Sequence, residues 1–102
     1  GTADVNALLV NNGQIMNRLL SATATLNFGS IAAAASETLT ITVTGAQTGD
    51  SVALGLPSSP AAGIVFNAFV SATNTVSVRA TNVTGTAVDP DSATYRATVF
   101  GF

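Results

Sequence analysis

The sequence predicts an all-β protein: an antiparallel β-sandwich of the jelly-roll or immunoglobulin-like (Ig-like) kind, with a short N-terminal helix or arm. Two observations support this fold class. Six separate stretches between Ala22 and Phe100 are typical of strands, and in five of them apolar and polar residues alternate, as they do in strands with one buried and one solvated face. Turn-rich segments separate these stretches at sandwich spacing, and no helical pattern lies between them to allow parallel crossovers.

The clearest predicted strand is Thr38–Thr44, in which Leu39, Ile41 and Val43 alternate with threonines. β-branched residues suit a pleated, half-buried surface better than a helix. The other five predicted strands are, in chain order, 22–28, 51–56, 64–71, 75–80 and 93–100. The inward positions predict a core of Leu26, Phe28, Leu39, Ile41, Val43, Val52, Leu54, Phe66, Val76, Val78, Tyr95 and Val99.

The stretch Ile64–Ser71 differs from the others because it is apolar on both faces. One face carries the core-directed residues, and the other carries Val65 and Phe69. A strand with two apolar faces is usually buried on both of them. We therefore expect Val65 and Phe69 to be covered by a neighbouring element or by another subunit.

The first residues do not share the alternation, so residues 1–21 are predicted to be an oligomerisation or anchoring segment that precedes a sandwich domain over 22–102. Apolar residues in Ala3–Leu20 recur at spacings of three and four, which predicts a helix. The turn signal Asn11-Asn12-Gly13 leaves a hairpin or extended arm as the alternative. In either form the predicted interface residues are Val5, Leu8, Leu9, Asn12, Ile15, Met16 and Leu19.

The composition excludes several classes of function. Only 8% of the residues are charged, three arginines are the only basic side chains, and the net charge is −2. This leaves no basic patch for nucleic acid or for a membrane surface, and no apolar run reaches the roughly 18 residues that span a bilayer. Because histidine and cysteine are absent, we expect no enzyme activity, no metal site and no cofactor.

Four smaller features are interpreted as structural. Asp89 and Asp91 could offer oxygens to calcium, but Asp-Pro more commonly starts a turn. The sequence Asn82-Val83-Thr84 matches a glycosylation acceptor, although one match is expected by chance in a chain so rich in threonine. Tyr95 falls among the inward residues and is predicted to be core. Arg79 and Arg96 are predicted to face outward, as solubilising or inter-subunit contacts rather than as an anion site.

The segment from Ala24 to Phe100, about three quarters of the chain, resembles a known family. The stretches that carry the resemblance are LNFGSIAA, LTITVTGA, GDSVALGLP, VFNAFVSATNTVSVRATNVTG and TYRATVFG. They look like a small β-domain that recurs in structural proteins of tailed bacteriophages, alone or at the end of capsid-surface, fibre-like and tail-associated proteins. The resemblance carries no catalytic motif, and Ala3–Leu20 lies outside it.

The resemblance implies a virion structural protein that is made in the host cytoplasm and located on the capsid surface. We expect a capsid decoration (cement) protein that binds the major capsid protein as a homo-oligomer and stabilises the shell, with a trimer favoured by the local symmetry of many capsids. The alternative is a fibre or tail-associated module that recognises a host-surface ligand. Predicted contacts with the capsid or between subunits are Val65, Phe69, Arg79, Arg96, Phe100 and Phe102.

Overall fold

The computed structural model describes residues 8–9 and 15–102, with side chains described from Asn17 onward. These residues contain eight strands and no helix. The strands are β1 (Leu8–Leu9), β2 (Ile15–Met16), β3 (Arg18–Leu26), β4 (Ser36–Thr42), β5 (Ser51–Gly55), β6 (Ile64–Ala72), β7 (Thr75–Asn82) and β8 (Ala93–Gly101). No helix capable of crossing a membrane occurs in this part of the chain.

Six of the strands form two antiparallel sheets of three, in the orders β3-β8-β5 and β4-β7-β6. The chain changes sheet at every connection from β3 to β8 except the β6–β7 hairpin. This confirms the predicted antiparallel sandwich. Six strands are fewer than the eight of a jelly roll, whereas β4-β7-β6 follows the B-E-D order of an Ig-like sheet.

The predicted N-terminal helix is wrong for the described residues. Leu8–Leu9 pairs antiparallel with Ile15–Met16, so the hairpin alternative is confirmed there. Residues 18–20 already belong to the sandwich, because Arg18, Leu19 and Leu20 pair with the last three residues of β8. These cross-strand hydrogen bonds require a partner distant in sequence, and a local apolar spacing cannot reveal them. Residues 1–7 and 10–14 lie outside the described part.

The core lies between the two sheets and centres on three aromatic rings. Phe28 meets Phe66 and Tyr95 edge-on, with ring centroids 5.9 Å apart in both cases, and Phe66 lies 5.6 Å from Tyr95. Of the twelve predicted core residues eight are buried, and Leu39, Val52, Leu54 and Phe66 pack partly exposed against them. The predicted core did not include six further buried hydrophobic residues: Ile31, Ala46, Ile64, Val70, Ala80 and Ala97.

Asn82, at the end of β7, is a fully buried polar residue whose hydrogen bonds organise the following loop. Its Nδ2 donates to the carbonyl oxygens of Ile31 at 2.9 Å and Thr86 at 2.8 Å. Its Oδ1 accepts from the backbone N–H and the hydroxyl of Thr84, at 2.8 and 2.7 Å. These bonds hold the 83–87 loop beside the isolated bridge between Ile31 and Val88. A buried amide is stable here because its donors and acceptor are all used.

Candidate interaction surfaces

The β4-β7-β6 sheet has an exposed apolar patch on its outer face, formed by Val65 and Phe69 of β6 and called the β6 patch below. Val65 is 54% exposed and Phe69 is 37% exposed. The guanidinium carbon of Arg79 lies 5.1 Å from the centre of the Phe69 ring, a cation–π contact. Arg79 Nε also donates to Thr38 Oγ1 at 3.2 Å. No described element covers this patch, so the cover predicted for it would have to come from another molecule.

The opposite sheet has a second apolar patch, where Leu19 of β3 lies directly across from Phe100 of β8. Leu19 is 60% exposed, and Phe102, two residues beyond Phe100, is 54% exposed. The sequence placed Leu19 in the N-terminal segment and Phe100 in the last strand. Only the register of β3 on β8 brings them together, as what we call the β3–β8 patch.

The two outward arginines lie on opposite faces of the sandwich. Arg79 belongs to β7 of one sheet, and Arg96 belongs to β8 of the other. Arg96 Nη1 donates to Ser21 Oγ at 2.6 Å, and both arginines are exposed. Their outward orientation is as predicted. Because they face opposite sides, they cannot converge on one anion.

A polar pocket of about 280 Å³ lies at one end of the sandwich, between the loop after β5 and the loop before β8. Its lining includes Ser58, Pro60, Asp89, Asp91 and Tyr95. Tyr95 is buried, as predicted, and burial raises the pKa of its hydroxyl. The described residues contain no group of three or more metal-ligating side chains, so Asp89 and Asp91 gain no third carboxylate here.

The remaining predicted interface residues lie at the N-terminus. Leu8 pairs with Met16 and Leu9 with Ile15, which places all four in one short hairpin. Val5 and Asn12 lie outside the described residues.

The glycosylation-like sequence at Asn82 is structural. The Asn82 side chain has no exposed surface, and its Nδ2 already donates two hydrogen bonds. The folded protein therefore does not present this nitrogen to an enzyme. Burial of Asn82 could not be predicted from the sequence, because an isolated asparagine in a threonine-rich stretch has no pattern that marks it as core.

The described residues thus offer two apolar patches on opposite faces, a polar pocket at one end and open strand edges. Comparison with known proteins identified no matching family, no curated relative and no matching solved structure.

Proposed function

We propose that this protein is a structural component of a tailed-bacteriophage virion, a capsid decoration (cement) protein that binds the outer surface of the shell and stabilises it. The observation that carries the proposal is the pair of exposed apolar patches on opposite faces of a small domain with very few charges. A domain exposed in this way can contact a shell with one face and a neighbouring copy with another. The resemblance of Ala24–Phe100 to phage structural domains supports the same assignment.

In this proposal the partner is the major capsid protein, and the contact is made by the β3–β8 patch together with the N-terminal segment. The two are neighbours in the sequence, because β3, which carries Leu19, begins at Arg18 directly after the β1–β2 hairpin. Apolar burial contributes about 25 cal/mol for each Å² removed from water. Exposed ion pairs contribute only about 0–1 kcal/mol each, so apolar contact is the main source of affinity.

The protein acts as a homo-oligomer, with a trimer as the state that fits local three-fold positions on a shell. Repetition of a modest interface over many equivalent sites strengthens attachment without requiring a large contact area at each one. We place the protein on the capsid surface after its synthesis in the host cytoplasm.

A second candidate function is a fibre or tail-associated module that binds a host-surface ligand. The polar pocket at Asp89, Asp91 and Tyr95 favours it, because carboxylates and a tyrosine hydroxyl can hydrogen-bond a small polyhydroxylated ligand. Its volume of about 280 Å³ lies just below the usual range for ligand pockets, about 300–1,000 Å³. The capsid proposal is preferred because the apolar patches have no role in this alternative.

The copy number of the protein in intact virions distinguishes the two functions. Quantitative mass spectrometry against a labelled standard, normalised to the major capsid protein, gives this number. A decoration protein is present on the order of hundreds of copies, because it follows the symmetry of the shell. A handful of copies, or absence from purified particles, would overturn the capsid proposal.

A further inference from the structure

The strand β6 is an open edge of its sheet, since β7 is its only hydrogen-bonded neighbour among the described strands. It is nine residues long and contains neither a charged residue nor a proline. Proteins commonly protect edge strands with charges, prolines, bulges or short length. The described part of β6 has such a feature only at its far end, a bulge between Val70 and Ala72. The other three edges have such features: β3 contains Arg18, β4 contains Glu37, and β5 is only five residues long.

The regular part of β6 has defined limits. Gly63 precedes it with a φ of +82°, and a side chain at this position would collide with Thr84 Cγ2, so the chain turns tightly there. At the other end the pairing with β7 shifts between Val70 and Ala72. A bulge of this kind ends regular pairing and bends the strand. The regular stretch is therefore Ile64–Val70, and its central residue is Asn67.

The residues at equal distances on either side of Asn67 are all apolar from Ile64 to Val70. If a second copy approached antiparallel with the two Asn67 residues opposite, Val65 would face Phe69 of the other copy on the outer side. On the core side, Phe66 would face Ala68 and Ile64 would face Val70. Aromatic residues pair well with β-branched ones across antiparallel strands, and a large residue opposite a small one avoids overpacking.

Neighbouring registers are less favourable. Residues on the outer face of one strand must lie opposite residues on the outer face of the other. The two-fold axis must therefore pass through a residue, and the neighbouring registers are those centred on Phe66 and on Ala68. Centring on Ala68 would place Asn67 against Phe69 and Val65 against Ser71. Centring on Phe66 would place Val65 against Asn67 and would leave Phe69 opposite Gly63, outside the strand. The register centred on Asn67 alone groups the β6 patch residues with one another.

The charges near β6 also permit the approach of a second copy. Arg79 lies on β7, one strand further from the edge. In a paired sheet the two Arg79 backbones would be three strand spacings apart, about 14 Å. That separation exceeds the Debye length of about 10 Å at 0.1 M salt, so repulsion between the arginines is largely screened.

We propose that β6 pairs with β6 of a second copy of this chain, antiparallel about Asn67, to form a continuous six-stranded sheet in which the β6 patches of the two copies lie side by side. The contact does not depend on the virion assignment. If that assignment holds, a two-fold contact of this kind links neighbouring oligomers on the shell.

Cysteine cross-linking tests the register, because the chain contains no cysteine of its own. Opposed residues of antiparallel strands have Cα separations of about 4.5–5.5 Å, within the range that a disulfide can join. We expect Asn67→Cys to form a disulfide-linked dimer under mild oxidation. A mixture of differently tagged Val65→Cys and Phe69→Cys chains should form the mixed dimer at least about tenfold more than either chain forms a dimer with itself. Two copies of residue 65 would lie about 14 Å apart.

Thr40→Cys, exposed on the edge strand β4, is the matched control and should remain uncross-linked. A second measurement needs no variant: amide hydrogen exchange in β6 should slow as the concentration of the unmodified protein rises, while exchange in β4 stays constant. Cross-linking that is equal at residues 40 and 67, or exchange in β6 that does not change with concentration up to about 1 mM, would overturn the proposal. Cross-linking of Asn67→Cys only to a different protein would also overturn it.

Discussion

Arg18 and Asp50 join the first strand of the sandwich to the loop before β5, with Arg18 Nη2 2.5 Å from Asp50 Oδ1. The Asp50 carboxylate is 5% exposed and also accepts the backbone N–H of Gln47 at 3.0 Å. The hydrogen bond from Arg18 holds the pKa of Asp50 below its usual value, and the Gln47 N–H acts in the same direction. The pair therefore fixes one edge of the β3-β8-β5 sheet to the other across β8.

The lowered pKa of Asp50 gives a pH dependence of stability. The Arg18–Asp50 pair makes its full contribution to the free energy of unfolding at pH values above the unfolded-state pKa of aspartate, about 3.9. This contribution is lost as the pH falls through the lower pKa that Asp50 has in the folded state. We expect Asp50→Asn to be less stable than the wild type at pH 6, and the difference to shrink below about pH 4. Urea unfolding at several pH values measures this. Asp91→Asn, at an exposed carboxylate outside any described ion pair, is the control. Equal losses from both variants would contradict the prediction.

Asn82 should be important for stability although it is polar. Asn82→Ala removes a buried amide and leaves the Thr84 N–H without its acceptor. An unsatisfied buried group costs about 1–3 kcal/mol, so we expect the free energy of unfolding to fall by that amount. Asn27→Ala is the matched control, because the Asn27 side chain accepts only an exposed hydrogen bond from Gly29. Comparable losses from the two variants in denaturant titrations would show that the Asn82 network contributes little.

The aromatic cluster should dominate the core. Phe28 is 1% exposed and contacts both other rings. We expect Phe28→Ala to cost about 3–5 kcal/mol, because it removes packing and leaves a cavity. Phe102→Ala makes the same chemical change at a 54% exposed position, where the expected effect is within about 0.5 kcal/mol. Thermal unfolding followed by calorimetry measures both, and a Phe28→Ala chain as stable as Phe102→Ala would contradict the assignment of the core.

Ala34 offers a stabilising change. Its φ is +61°, in the left-handed region that disfavours a residue with a side chain. We expect Ala34→Gly to raise the free energy of unfolding by up to about 1 kcal/mol, after the entropy of the unfolded glycine chain is subtracted. Ala33→Gly is the control: it lies in the same turn without a positive φ and should destabilise by about 0.4–1 kcal/mol. Destabilisation by both changes would refute the prediction.

The proposed attachment to the shell predicts a response to salt and to truncation. We expect binding to survive about 1 M sodium chloride, since salt screens charges but does not weaken apolar burial. A chain without residues 1–16 should bind more weakly. This truncation stops before Arg18 because residues 18–20 belong to β3. Sedimentation of shells with wild-type or truncated protein at low and high salt measures both effects. Release of the wild type by salt, with the truncated chain still bound, would mean that attachment is electrostatic and lies elsewhere.

The sequence by itself determined the fold class and the orientation of most side chains. In Thr38–Thr44 and the other alternating stretches, successive residues must point to opposite faces of a strand. The apolar members therefore identified Ile41, Val76 and Val99 as core without knowledge of which strands are neighbours. The same local rule put Val65 and Phe69 on the outer face of their strand, where the structure places them.

The tertiary structure decided which strands pair and in what register. Leu19 lies opposite Phe100, and Arg18–Leu20 continue β3 instead of a helix, because β8 supplies the hydrogen-bonding partner from about eighty residues away. Asn82 is buried because Ile31 and Thr86 supply its acceptors. None of these features follows from local alternation, which fixes the face that a residue occupies but not the distant chain segment that covers it.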